Sequence, residues 1–285
     1  MNQDIIRHPP GSDWLYLRIY GGPQALEEWL TGSFRLLLNA WIRSETVKLF
    51  YFVRYLDQDY HLRLRFRLAD TLQSGLLLSL ISSDCRNWLE DERMWKIEAG
   101  TYEPEVNRYG LERMSLIEDW FYRDSLFWLE VLADSTENEK SALWKTGVAR
   151  IDWMLDRFGF STGGKLMLLQ QMRESLSTEF GINHRMKSQL DAKYRSTVKE
   201  LAGILDHPEV LHQDAWESFM QTDSVIGQIK ETFAIREELE TSGVLPDMIH
   251  MSLNRVFRTR HRLQELVVYD FMARYYASAV AKGKT

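Results

Sequence analysis

The sequence predicts an α+β fold, and three observations carry that prediction. Before about Leu111, period-two stretches rich in aromatic and β-branched residues alternate with stretches of helical spacing. From there onward almost every segment has helical spacing alone. At 285 residues, with ten tryptophans, the chain can bury a large aromatic core.

Each element follows from local pattern. Trp14 to Tyr20 (WLYLRIY) reads as a strand that stops at the turn signal Gly21-Gly22-Pro23. Residues 23–43 carry helical spacing, with Leu26, Leu30, Leu37 and Trp41 among the apolar positions. Val47 to Tyr55 (VKLFYFVRY) is aromatic and β-branched, hence a strand. Leu56-Asp57-Gln58-Asp59 is a polar turn, and HLRLRF (61–66) follows at hairpin distance, its alternation continued by Arg67 and Leu68. Leu72 to Trp88 reads as helix and Met94 to Tyr102 (MWKIEAGTY) as a fourth strand. The order β-α-β-β-α-β is the split-βαβ, ferredoxin-like arrangement, so a small mixed sheet is expected in the N-terminal half. The C-terminal half is predominantly helical, with helices read at 115–132, at 140–158 and over the long stretch 246–281. Breaks fall at Gly159 to Gly164, at Asp206-His207-Pro208 and at Thr241-Ser242-Gly243. A single domain over 10–285 is expected, with an α/β part at 10–135 and a helical part at 136–285; an independent helical domain is the alternative.

Composition narrows the function classes. A net charge of −6 argues against broad binding to nucleic acid or to a membrane surface. Cys85 is the single cysteine, so neither a disulfide framework nor a cysteine-rich metal site forms within one chain. The N-terminal MNQDIIRHPPGSD lacks a basic-then-apolar signal pattern, and no apolar run reaches the roughly 18 residues of a membrane span. A cytoplasmic protein is expected.

Three segments carry the residue types that chemistry needs. In HLRLRF a strand places His61, Arg63 and Arg65 on one face and Leu62, Leu64 and Phe66 on the other. Positions two apart lie roughly 6–7 Å apart, so Arg63 and Arg65 can hold two anionic groups of one ligand. The plain alternative is a solvated or ion-paired sheet face. In TYEPEVNRYG (101–110), Glu105 and Arg108 are spaced to pair on a helical turn, between Tyr102 and Tyr109. A surface ion pair explains them equally well. In PDMIHMSLNR (246–255), His250 and Asn254 share a helix face, with Arg255 beside them. Histidine is the natural proton-transfer group at neutral pH, although a histidine at a core boundary gives the same pattern. The remaining histidines (His8, His61, His184, His207, His212 and His261) show no ligand spacing, so no metal site is expected.

Gly159 to Lys165 (GFSTGGK) matches the first part of a phosphate-binding loop, but Leu166 stands where magnesium needs Ser or Thr. Gly159 as a helix C-cap, followed by Ser161 or Thr162 as the next N-cap, accounts for it better.

Taken in order, WLYLRIYG (14–21), FVRY (52–55), HLRLRF, YEPEVNRYG and HMSLNR (250–255) resemble the elimination domain of class I lanthipeptide dehydratases, stand-alone forms of which occur in thiopeptide biosynthesis. The resemblance runs from about residue 13 to about residue 275. It implies β-elimination: a separate glutamylating subunit esterifies Ser or Thr of a ribosomally made precursor peptide from glutamyl-tRNA. This domain then removes glutamate to leave dehydroalanine or dehydrobutyrine. By motif, the catalytic residues are expected to be Arg63, Arg65, Glu105, Arg108 and His250. His61, Tyr102, Tyr109, Asn254 and Arg255 are the expected substrate contacts. One departure is Leu111, where the family usually has a second glycine after Arg-Tyr-Gly; it removes no ionisable group.

The chemistry fits those residue types. Elimination needs a base for the α-proton, cations where enolate-like charge develops, and a site for the departing carboxylate. Arg63, Arg65 and Arg108 supply cations, Glu105 orients Arg108, and His250 transfers the proton. No cofactor is needed. The expected partners are the glutamylated precursor peptide, the glutamylating subunit and a second copy of the chain as a homodimer, with no direct nucleic acid and no membrane. The closest rival is a thiopeptide pyridine synthase, which joins two dehydroalanines by [4+2] cycloaddition and expels the leader. A non-catalytic subunit that grips a precursor peptide is a rival of another class. RNA binding through Tyr51, Phe52 and Tyr60 beside the basic strand is a fourth reading.

Overall fold

The computed structural model describes residues 6–206, 215–216, 223–233 and 243–283. The expected breaks at His207-Pro208 and Thr241-Ser242, the histidines His207 and His212, and the first five residues lie outside them. Two compact units are present, Met1–Asp134 and Ser135–Thr285.

The first unit runs β1 (Trp14–Gly21), α1 (Pro23–Thr31), α2 (Ser33–Arg43), β2 (Val47–Leu56), β3 (Tyr60–Leu68), α3 (Gln73–Asp84), α4 (Arg86–Glu90), β4 (Met94–Gly100), α5 (Val106–Tyr109) and α6 (Leu111–Asp134). The strand order is β2-β3-β1-β4, which is the expected split-βαβ, ferredoxin-like topology in an α+β fold. The sheet is not mixed, however: β1–β3, β1–β4 and β2–β3 all pair antiparallel. Each helical crossover skips one strand position, so strands that run parallel are never neighbours.

The segment read as one helix over 23–43 divides at Gly32 (φ −94°, ψ −112°), where a Cβ would come 2.8 Å from the Glu28 carbonyl oxygen. The 72–88 segment divides at Cys85, and the last strand ends at Gly100, leaving Tyr102 in an isolated bridge with His8. One sheet face is apolar. Leu17, Ile19, Phe50, Phe52, Leu62, Leu64 and Phe66 are fully buried, as are Leu26, Leu30, Phe34 and Leu38 of α1 and α2. Phe34 stacks at 5.5 Å from Phe50 and 6.1 Å from Phe66. Each such side chain contributes roughly 1.5–3 kcal/mol. Arg54 of β2 also points to this side, where its Nη2 donates to Glu27 of α1 at 2.6 Å.

The second unit is helical among its described residues: α7 (Glu137–Lys140), α8 (Trp144–Arg157), α9 (Thr162–Glu179), α10 (His184–Asp206), α11 (Asp223–Glu231), α12 (Val244–Val256) and α13 (His261–Ala281). Gly159 has φ 81°, and the Ser161 hydroxyl accepts from Gly164 N at 3.2 Å, so GFSTGGK is the cap-and-restart expected for it. Lys165 is buried, and Asp152 and Asp156 hold its ammonium at 2.5 and 2.6 Å. The stretch 246–281 is two helices, not one. Phe257 takes an extended backbone and Arg260 a left-handed one (φ 53°), which turns the chain without a Gly or Pro to announce it. Among the described residues no helix is long and apolar enough to cross a membrane.

Candidate active site

The second face of the sheet is where HLRLRF places its polar residues. Strand register builds three rows across it. Arg65 lies opposite Tyr51 on β2 and Tyr16 on β1; Arg63 lies opposite Val53 and Arg18; His61 lies opposite Tyr55 and Tyr20. On β4 the rows continue as Gly100, Glu98 and Lys96.

Arg65 sits in a box of tyrosines. Its guanidinium carbon lies 5.0 Å from the ring centre of Tyr16, 5.1 Å from Tyr51 and 5.6 Å from Tyr102. Its Nε and Nη1 are sealed from water and have no hydrogen-bond partner among the described residues. Burial works against the charge, but the phenols and Glu105 outweigh it, so the guanidinium holds its proton more tightly than usual. A polar chain fixes the box: Tyr51 Oη donates to Tyr102 Oη at 2.7 Å, and Tyr102 Oη donates to Glu118 of α6. Burial pushes both phenols and the Glu118 carboxyl upward. Tyr102, expected to touch substrate, is therefore a buried wall of the box.

Arg63 is positioned from its own strand. Its Nε donates to His61 Nε2 at 3.2 Å, while His61 Nδ1 donates to the Asp59 carbonyl at 3.0 Å. Both ring nitrogens are spent and the tautomer is fixed. Burial pushes the imidazolium pKa down, in keeping with a neutral ring. The guanidinium of Arg63 stacks 3.3 Å above Tyr55. His61, expected to touch substrate, is fully buried and holds Arg63.

Arg108 Nη1 donates to Glu105 Oε2 at 2.9 Å, and both side chains are exposed. Glu105 precedes α5, and its charge is felt by Arg65 and Tyr51. Tyr109, expected to touch substrate, is buried. It is 1% exposed and packs edge-on against Phe121 at 5.8 Å, anchoring the turn that carries Arg108.

In the second unit, His250 of α12 meets Glu265 of α13. The imidazole Nδ1 lies 2.9 and 3.0 Å from the two carboxylate oxygens, and Glu265 is fully buried. Arg262 also donates to Glu265, at 3.1 Å, and to Glu179 at 2.7 Å. With Nδ1–H given to Glu265, Nε2 is the basic nitrogen. It is engaged by no described residue, and 27% of the side chain is exposed. An imidazole oriented by a buried carboxylate, with its other nitrogen open, is a general base in waiting. Arg255 is fully buried and donates to the Met251 carbonyl at 2.9 Å, while Asn254 is 7% exposed. Arg255 and Asn254, both expected to touch substrate, are thus buried in α12.

Residues 14–276 match the family model described as lantibiotic biosynthesis dehydratase, C-terminal. The chain belongs to this family. The subtilin biosynthesis protein SpaB of Bacillus subtilis is 23% identical over 271 residues, covering 91% of this chain and 25% of SpaB. The chain thus spans about a quarter of that relative's length. Its fold is similar to that of the tRNA-dependent lantibiotic dehydratase MibB from Microbispora sp. 107891 (TM-score 0.69, 19% identity, 96% of this chain and 29% of MibB). It is also similar to TsrL (TM-score 0.67, 12% identity, 97% and 96%) and to the pyridine synthase TbtD from thiomuracin biosynthesis (TM-score 0.59, 15% identity, 94% and 99%).

Within this lantibiotic dehydratase C-terminal fold, sequence reasoning missed three residues beside the expected ones. Arg18 shares the arginine face, and the alternation Tyr16-Arg18-Tyr20 is the signal that marks it. Glu265 follows the same helical stripe as the buried Tyr269, Met272 and Tyr276, where a lone carboxylate is out of place without a partner. Glu118 is likewise an acid among the buried positions Met114, Ile117 and Phe121 of α6. Among the described residues no three His, Cys, Asp or Glu side chains are grouped to hold a metal ion.

Proposed function

We propose that this chain eliminates glutamate from glutamylated Ser or Thr in a ribosomally made precursor peptide, leaving dehydroalanine or dehydrobutyrine, in lanthipeptide or thiopeptide-type biosynthesis. Family membership supports a part in dehydration. The observation that carries the finer reading is Arg65: a guanidinium boxed by three tyrosines with two sealed nitrogens, Nε and Nη1, unspent among the described residues. Such a cation is held ready for an anion that arrives and departs.

Arg63 and Arg65 stabilise the enolate-like oxygen and the departing carboxylate. Arg108, held by Glu105, adds to that positive field. His250, its ring oriented by Glu265, is the candidate base for the α-proton. The C–O bond then breaks, its electrons leaving on the glutamate carboxylate as the Cα–Cβ double bond forms. A separate glutamylating subunit supplies the ester, and residues 10–285 act as one elimination-type domain.

The test is mass spectrometry of a glutamylated precursor peptide incubated with the protein alone. Loss of the glutamyl unit with formation of a dehydroamino acid supports the reading; an unchanged peptide mass refutes it. The fold likeness to TbtD favours one second reading, cycloaddition. Release of a leader from an already dehydrated peptide is its signature.

A further inference from the structure

Arg18 is the residue on the arginine face that the proposed chemistry leaves without a task. It lies directly opposite Arg63 across the β1–β3 pair. Like charges so placed, roughly 4.5–5.5 Å apart at Cβ, repel each other. Among the described residues neither Arg63 nor Arg65 has a carboxylate within ion-pair distance. Glu98 approaches Arg18 at 3.6 Å, but Lys96 at 2.6 Å and the Tyr20 hydroxyl at 2.8 Å already hold it. Nε of Arg18 is sealed from water without a hydrogen-bond partner, while 37% of the side chain remains exposed. The face therefore carries an excess of cations and unspent donors.

Room beside Arg18 is kept open by Gly100. A Cβ there would stand 3.4 Å from Arg18 Nη2 and 3.3 Å from the Tyr16 ring, which is one wall of the Arg65 box. The lane between Arg18 and that box is free of side chain because β4 has a glycine at this point.

We propose that Arg18 is the specificity residue of a three-arginine receptor for a dicarboxylate. It takes the side-chain carboxylate of the glutamyl group while Arg63 and Arg65 take the carboxyl that departs. This rests on the reading of the chain as a glutamate-eliminating enzyme. The dimensions agree. The two carboxyl carbons of extended glutamate are roughly 5 Å apart from standard bond lengths. Neighbouring rows of the face are separated by roughly 6–7 Å along a strand, within reach of long arginine side chains.

The experiment is calorimetric titration of the full chain with free L-glutamate and with L-glutamine, which has the same shape but one carboxylate. Wild type is expected to bind L-glutamate roughly tenfold or more tightly than L-glutamine, the worth of a charged hydrogen bond. Arg18→Gln removes that preference, and Gly100→Ala weakens L-glutamate binding by crowding Arg18. Circular dichroism confirms that both variants are folded. A wild-type protein without the preference, or an Arg18→Gln variant that keeps it, overturns the inference. Turnover of a glutamylated peptide is measured in the same preparations. A wild type that prefers L-glutamate but releases none keeps the receptor and overturns elimination; one that eliminates without the preference does the reverse.

Discussion

Two arginines of one sheet are expected to respond in opposite ways to the same substitution. Arg65→Met removes the charge and both sealed, unpartnered N–H groups. Two such groups cost roughly 1–3 kcal/mol each, against three cation–π contacts worth roughly 0.5–2 kcal/mol each. The midpoints of the two terms nearly cancel, so stability is expected to change by about 2 kcal/mol or less, a Tm shift within roughly 8 °C. Arg54→Met is a different case. It strands the buried Glu27 carboxylate that Arg54 holds at 2.6 Å. Breaking a buried pair costs about 3–5 kcal/mol, or roughly 6–20 °C in Tm. Function is expected to reverse the ranking. Arg65→Met loses about 10²–10³ in elimination rate, the usual worth of one preorganised electrostatic group. Thermal melts and single-turnover mass spectrometry on the same two variants provide the assay. An Arg65→Met protein that melts as low as Arg54→Met, or turns over like wild type, would falsify the account of Arg65 as a functional cation.

Three further expectations follow from the same geometry. Glu265→Gln keeps the shape of the His250 contact but not its charge, so the rate constant of elimination falls roughly tenfold or more while peptide affinity holds; equal losses in both point to a folding role instead. Glu105→Gln breaks an exposed pair and changes stability by less than about 1 kcal/mol, yet slows elimination if Arg108 depends on it. His61 is held neutral, its pKa below the ordinary 6.5 because burial disfavours the charged ring. In the window between the folded and unfolded values the unfolded chain binds more protons, so stability is full above 6.5 and is lost as pH falls through the folded value. Urea midpoints across that window show this slope in wild type, and His61→Gln is expected to flatten it.

The sequence revealed strands more readily than neighbours. Alternation in HLRLRF separates Arg63 and Arg65 from Leu62 and Leu64 with no structure at all, and the hairpin with β2 follows from a short polar turn. The expected split-βαβ topology already sets β1 beside β3; what it leaves open is the register, and only the observed pairing places Arg18 against Arg63. Depth was illegible for a related reason. Period two assigns a face but not its cover, so the burial of His61 is not legible in its strand, and a single turn of helix gives no sign that Tyr109 is buried. Glu265 was hidden by distance, since it meets His250 only after the chain turns at Phe257 and Arg260. Neither residue at that turn is a Gly or Pro, and the left-handed Arg260 leaves no compositional trace.

Packing alone does not account for this distribution of charge. On the apolar side of the sheet the buried Arg54 is matched by a carboxylate, Glu27. On the opposite side, two strands bring Arg18, Arg63 and Arg65 together; among the described residues only Arg18 has a carboxylate within ion-pair distance, and that one, Glu98, is shared with Lys96 and Tyr20. A sheet selected for stability alone gains by replacing such residues with apolar ones, because unspent buried donors are a net cost. The second unit shows the complementary excess, an acceptor rather than donors, in His250 Nε2 behind a fully buried glutamate. Unspent cations suit a leaving carboxylate, and an unspent basic nitrogen suits an α-proton. In the proposed β-elimination each has its use, whereas a protein that only gripped an acidic peptide has use for the cations alone.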